Sequence, residues 1–163
     1  MKLYLKRDNS QEHTRYVICD HTGVEKFAVT GRRIARADKM VLSDINANPL
    51  LTIRSAPFHV FYAFSIKDSK EKFAITAAKG RDFIDYRFHG ISWTLCRSKD
   101  MRSFEIFDAD GKLIMSQSAD RYLSTGTYEL EIYSEQREYF CIAAAICANT
   151  INFTDAPRRV TVR

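Results

Sequence analysis

The chain has 163 residues, a size that suits one compact domain and leaves little for a second. Hydrophobic residues make up 45% and charged residues 28%, with 6 Gly and 3 Pro, which excludes disordered, collagen-like and low-complexity classes. Twenty-five Lys and Arg against 20 Asp and Glu give a net charge of +5 and a pI near 9.1, a mildly basic balance that permits an anionic partner without requiring one.

At the start, Met1 to Arg7 holds no apolar run of signal-peptide length, so a reducing cytoplasm is the expected compartment. Cys19, Cys96, Cys141 and Cys147 show no CxxC spacing and no histidine pair beside them, so neither a disulfide framework nor a metal site is expected. No cofactor is expected either. The 11 Phe and 8 Tyr against one Trp favour strands over helices.

Residues before 135 read as strands with one apolar face. Phe58, Val60, Tyr62, Phe64 and Ile66 alternate with smaller or polar residues, as do Phe73, Ile75 and Ala77, then Ile84, Tyr86 and Phe88. Ile91, Trp93 and Leu95 alternate with Ser92, Thr94 and Cys96, and Tyr128, Leu130 and Ile132 with Glu129 and Glu131. A period of two marks antiparallel, half-buried strands. Turn chemistry separates them at Asp20–Gly23, Asn46–Pro49, His89–Gly90 and Asp108–Gly111. A weak repeat joins these signals: an apolar strand ending in Asp, a short turn, and a second apolar strand, as YVICDHTGVEKFAV, MVLSDINANPLLTI and FEIFDADGKLIM. Asp20, Asp44 and Asp68 recur at intervals of 24 residues. Repeated hairpins without a long linker argue for one meandering sheet.

The longest apolar run, Tyr139 to Ala148, is too short to span a bilayer, which takes about 20 residues. Ser134 or Glu135 can open a helix there, and its alanines favour one, predicted over 136–149. Apolar on every face, such a helix must be surrounded by protein. Ten to twelve short strands with one apolar face each must curl into a barrel or pack as a sandwich. The inside of a closed barrel has room for a thin, alanine-rich helix, enclosed by inward aromatics such as Phe64, Tyr86 and Trp93. The expected fold is therefore mainly β, a closed antiparallel barrel of about twelve strands around a central C-terminal hydrophobic helix.

The hairpin repeat with Asp-x-x-Gly turns, followed by REYFCIAAAICANTINF, resembles the tubby C-terminal-like superfamily, and within it the LURP-one-related family and its small bacterial members. The resemblance covers residues 1–153, leaving 154–163 as a C-terminal tail. It implies a twelve-stranded barrel around a helix, and relatives that include phosphoinositide-binding tubby domains and phospholipid scramblases. The cysteine-rich acylated segment and added membrane helix of scramblase-like proteins are not in this sequence.

Catalytic signatures are thin. Asp108-Ala109-Asp110-Gly111 echoes the start of a calcium loop, but Leu113-Ile114-Met115 follows where later ligands would stand, so a hairpin turn is expected. Cys19, Asp20 and His21 are adjacent and point in different directions, which suits a strand end better than a metal site. Ser69 and Lys72 have Ser-x-x-Lys spacing in a polar turn, where a nucleophile would be solvated. GxSxG, GxGxxG and phosphate-loop motifs do not occur. His13, His21, His59 and His89 are scattered.

Gly31 to Lys39 stands above this background, with Arg32, Arg33, Arg36 and Lys39 against one acid, Asp38. Arginine forks bind phosphate bidentately, and several together suit an anionic phospholipid headgroup. Arg158, Arg159 and Arg163 extend the basic character at the end of the chain. The expected function is a non-enzymatic module that binds anionic headgroups through Arg32, Arg33, Arg36 and Lys39, peripheral at the inner membrane surface. A protein-interaction domain without a small ligand is the alternative. Nucleic acid is disfavoured, since neither an RNP-like aromatic motif nor a recognition helix accompanies the charge.

Overall fold

The structure, a computed structural model, describes residues 1–8, 14–34, 37–57, 61–80, 83–98, 103–118 and 126–154. Twelve strands precede one helix: β1 Lys2–Arg7, β2 Thr14–Cys19, β3 Glu25–Ile34, β4 Ala37–Asp44, β5 Pro49–Pro57, β6 Phe61–Lys67, β7 Lys72–Lys79, β8 Ile84–His89, β9 Thr94–Arg97, β10 Phe104–Phe107, β11 Leu113–Ser118 and β12 Thr127–Ile132. A 3-10 turn at Glu135–Arg137 then leads into α1, Glu138–Thr154.

All twelve strands belong to one antiparallel sheet ordered β8-β7-β6-β5-β4-β3-β2-β1-β12-β11-β10-β9. Every neighbouring pair but one is consecutive in sequence, as a chain of hairpins requires. The exception joins the ends of the meander: β1 lies against β12, with Leu3 opposite Leu130 and Leu5 opposite Tyr128. The ammonium of Met1 also donates to the carbonyl of Ile132, 2.9 Å away.

Alternate residues face inward. Leu3, Leu5, Ile18, Val29, Leu42, Ile53, Ile66, Ile75, Ile106, Met115 and Leu130 are fully buried around the helix. On α1, Cys141 through Asn149 is buried without a break, including Ala143, Ala144 and Ala145. A helix buried on every side has no amphipathic stripe, which is why its sequence carries no 3.6-residue pattern of polar and apolar residues. The expected barrel with a central helix is what the chain forms, and the helix extends beyond 149 to Thr154.

Among the described residues no ladder joins β8 to β9, so the barrel is nearly closed rather than fully closed. Side chains bridge this seam instead. Arg97 on β9 donates from Nη2 to the hydroxyl of Tyr86 on β8 at 2.7 Å, and its guanidinium lies 5.1 Å from the Tyr86 ring centre and 5.7 Å from that of Phe104. Burial pulls the pKa of Arg97 below its ordinary value, while the charge and hydrogen bond of Tyr86 oppose that shift. Below them Trp93 packs on Phe73 at 5.9 Å and on Phe88 at 5.8 Å, and Phe73 meets Phe140 of the helix at 5.0 Å. The alternation Ile91, Trp93, Leu95 suggests a strand, but β9 begins at Thr94. Trp93 sits instead in the β8–β9 connection, where its ring fills the foot of the seam.

Because the strands alternate in direction, the turns after β2, β4, β6, β8 and β10 all lie at the end where α1 enters. Three of these turns share one hydrogen-bond pattern. Asp20, Asp44 and Asp108 each accept, through Oδ1, backbone N–H bonds from the residues two and four positions on, at 2.9–3.1 Å. Asp68 closes a shorter turn, accepting from Lys70 and Glu71. The even spacing of Asp20, Asp44 and Asp68 thus reflects hairpin length, while the turn itself is shared by Asp20, Asp44 and Asp108.

Candidate anion-binding groove

On β4, β5 and β6, Met40, Leu42, Leu51, Ile53, Phe64 and Ile66 face the core. The residues between them therefore face outward. Lys39 stands opposite Arg54, and Arg54 opposite Ser65; one step along, Val41 stands opposite Thr52, and Thr52 opposite Lys67. Thr52 and Ser65 are short, while Lys39, Arg54 and Lys67 rise around them. The result is an open groove of about 480 Å³ on the outer face of the sheet, floored by Thr52 and Ser65 and bounded at its lower end by Leu50 and Asp68.

The groove is positive. Among the described residues no carboxylate forms an ion pair with Lys39, Arg54 or Lys67; the ion pairs there are Lys2–Glu129, Lys26–Asp20, Arg87–Asp85 and Arg137–Glu71. Asp68 is held by its own turn. Partial burial pushes its carboxyl upward, but hydrogen bonds from the N–H groups of Glu71 and Lys70 outweigh this and leave it below the ordinary value. Two ammonium groups and a guanidinium around a floor of hydroxyls can hold a phosphate through charge-assisted hydrogen bonds. The groove supplies neither a nucleophile paired with a base nor a metal-ligand set.

The structure brings together only part of the basic cluster expected from the sequence. Lys39 lines the groove. Arg32 on β3 stands opposite Lys39, which places Arg32, Lys39 and Arg54 in one row across three strands. Arg33 stands opposite Asp38. Arg36 and the tail with Arg158, Arg159 and Arg163 lie outside the described residues. Arg54 and Lys67 were not legible as site residues, because they lie on other strands. Their signal was parity: each occupies the face opposite the apolar set of its own strand.

The remaining candidates are occupied by structural tasks. Cys19 is buried, whereas the carboxylate of Asp20 turns to the backbone of its hairpin. Asp108 does the same at the β10–β11 turn, as expected. Ser69 is exposed in the β6–β7 turn. His21 is exposed in its turn, and His89 meets Thr76 Oγ1 through Nε2 at 3.0 Å. His13 and His59 lie outside the described residues. Burial pushes the Cys141 thiol up to about 12 and that of Cys147 upward as well, so neither is a thiolate nucleophile at neutral pH.

No functionally curated protein matches the chain. Among solved structures, an Arabidopsis thaliana protein determined by X-ray crystallography superposes with a TM-score of 0.64 over 93% of this chain and 90% of its own, at 16% identity. That likeness is one of fold. The family model described as LURP-one-related matches residues 1–149, nearly all of the barrel and its helix, and the chain belongs to that family.

Proposed function

We propose that this protein is a non-enzymatic module that binds anionic phospholipid headgroups at a membrane surface through the groove on β4, β5 and β6. Lys39, Arg54 and Lys67 hold the phosphate, with Arg32 at the edge of the same row. The observation that carries this reading is the row of like charges. Arg32, Lys39 and Arg54 occupy directly opposed positions on adjacent strands. Such cross-strand pairs destabilise a sheet unless an anion lies between them. A module without catalysis fits the interior, where α1 takes the space in which ligand-binding barrels keep a cavity.

The test is co-sedimentation with vesicles of mixed phosphatidylcholine and phosphatidylserine. Each near-surface cation is worth on the order of 1 kcal/mol toward an anionic bilayer, so the triple change Lys39→Gln, Arg54→Gln, Lys67→Gln should weaken binding by about two orders of magnitude. Folding should not be weakened, because all three side chains lie outside the core and the change removes the opposed like charges of Lys39 and Arg54. A wild type that ignores anionic vesicles at low salt would replace this reading with a protein-interaction domain.

A further inference from the structure

The exposed apolar side chains are unevenly placed. Among the described residues, Met1, Val24, Ile45, Tyr133 and Tyr139 lie at the end where α1 enters, and Phe83 at the other. Two of the five belong to adjoining hairpin tips beside the groove. Ile45 is 70% exposed in the β4–β5 turn, and Val24 is 54% exposed in the β2–β3 turn. The pairing of Phe27 with Asp44 sets these tips side by side, with Glu25 and Lys26 between Val24 and Phe27. Ile45 is held out by the turn itself: Asp44 accepts backbone bonds from Asn46 and Asn48, and the Asn48 side chain donates to its other oxygen at 3.0 Å. A rigid turn that could carry any polar residue at its apex carries isoleucine.

We infer that Ile45, with Val24 beside it, is an apolar anchor that enters the interfacial layer of an anionic phospholipid bilayer while the groove holds a headgroup. This rests on the headgroup reading of the groove. The order of chemistry along β4 and β5 carries it. At the tip stand Ile45 and Val24, then Pro49 and Leu50, then Lys67 level with Val41, then Lys39 and Arg54. A leaflet presents the same order from acyl chain to phosphate. At about 3.3 Å per residue, Lys67 stands roughly 13 Å along the strand from Ile45, a span its long side chain shortens toward the phosphate level. Interfacial segments bury their apolar face about 5–10 Å deep, which the tip satisfies without immersing the groove. Two of the nearby acids are engaged locally, Asp44 by its turn and Asp20 by its turn and by Lys26 at 3.6 Å, while Glu25 beside Val24 is exposed and offset in charge by the adjacent Lys26.

The experiment compares three proteins on phosphatidylcholine/phosphatidylserine vesicles at low and moderate salt: wild type, the tip variant Val24→Ser/Ile45→Ser, and the groove variant Lys39→Gln/Arg54→Gln/Lys67→Gln. The tip variant should bind ten- to a hundredfold more weakly, roughly, by the same factor at both salts, because apolar transfer is not screened. The loss in the groove variant should shrink as salt rises. Ile45→Trp, which adds an indole to Trp93, should show a blue-shifted emission only with vesicles. A tip variant that binds like wild type while the groove variant is weakened overturns the anchor and leaves the groove reading intact. Equal wild-type binding to pure phosphatidylcholine, with the groove variant unchanged, removes the groove reading and with it the coupled anchor. Lipid-free self-association abolished by the serine changes would assign the tip to a second copy of this chain and overturn the anchor.

Discussion

Gln117 and Asn149 form a reciprocal amide pair inside the barrel: Gln117 Nε2 donates to Asn149 Oδ1 at 2.9 Å, and Asn149 Nδ2 to Gln117 Oε1 at 2.8 Å. Both are buried, the asparagine completely. Gln117 stands on β11 between Phe104 of β10 and Leu130 of β12, in a ring of apolar side chains. A smooth apolar helix in an apolar tube could slide or rotate at little cost. Two hydrogen bonds with fixed directions set one depth and one rotation for α1. Thr150, whose Oγ1 donates to the Ile146 carbonyl and lies 3.4 Å from the Tyr16 hydroxyl, marks the same level of the barrel.

Gln117→Leu alone should therefore strand the Asn149 amide and cost about 1–3 kcal/mol, and Asn149→Leu should do the same to Gln117. The double change removes both amides and should cost much less than the sum of the single changes. Urea unfolding of the four proteins measures the coupling. Simple additivity would mean that the pair does not fix the helix.

The alanines of α1 make a second demand. Ala144 and Ala145 are buried inside the sheet, and Phe64 is among the largest fully buried side chains around them. Adding bulk to a filled interior costs about 1–3 kcal/mol, so Ala145→Phe should lower the melting temperature by several degrees. Wild-type melting would contradict a helix packed on all sides.

These two positions show what the sequence made legible. The run YFCIAAAICA favoured a helix enclosed by protein over a central strand, and alternation in β6, β7 and β12 named inward residues such as Phe64, Ile75 and Leu130, all buried. The seam between β8 and β9 was hidden, because period-two alternation reports which face is buried and says nothing about whether a strand edge is paired. Arg97 illustrates the limit: it sits at an inward position, yet its role as a bridge to Tyr86 depends on a strand distant in the ladder order. The groove escaped for a related reason. Arg32 and Lys39 are near neighbours in one hairpin, whereas Arg54 and Lys67 join them only through register.

The three matching turns allow a backbone test with opposite signs. Gly23 at φ 86°, Ala47 at φ 62° and Gly111 at φ 77° occupy equivalent positions, each donating its N–H to the carbonyl of the turn's aspartate. A left-handed conformation costs a residue with a Cβ about 1–2 kcal/mol, against roughly 0.4–1 kcal/mol for the extra freedom that glycine gives the unfolded chain. Ala47→Gly should accordingly stabilise by up to about 1 kcal/mol. Gly23→Ala and Gly111→Ala should each destabilise by a similar amount for conformational reasons alone, since a Cβ at either would meet nothing within 4 Å. Denaturation midpoints decide it, and a less stable Ala47→Gly protein would break the equivalence of the turns.

Acid should reach these turns before it reaches the core. The hydrogen bond from the Thr22 hydroxyl leads the effects that hold the Asp20 carboxyl at about 2, below its ordinary 3.8, with backbone bonds from Thr22 and Val24 and the charge of Lys26 acting the same way. Asp44 is shifted downward as well, first by the Asn48 side chain and then by its N–H. A carboxyl whose folded pKa is depressed binds fewer protons in the folded than in the unfolded chain. Its stabilisation is complete above the unfolded value and is lost as pH falls through the folded one, so the barrel should lose stability between about pH 5 and pH 2. Asp20→Asn separates charge from shape, because its Oδ1 still accepts the two backbone bonds while its titration is gone. That variant should fold at neutral pH and lose stability less steeply over the acid range, followed by denaturant midpoints at successive pH values. An unchanged acid slope would show that ionisation of Asp20 contributes nothing to the turn and that the hydrogen-bond pattern alone sustains it.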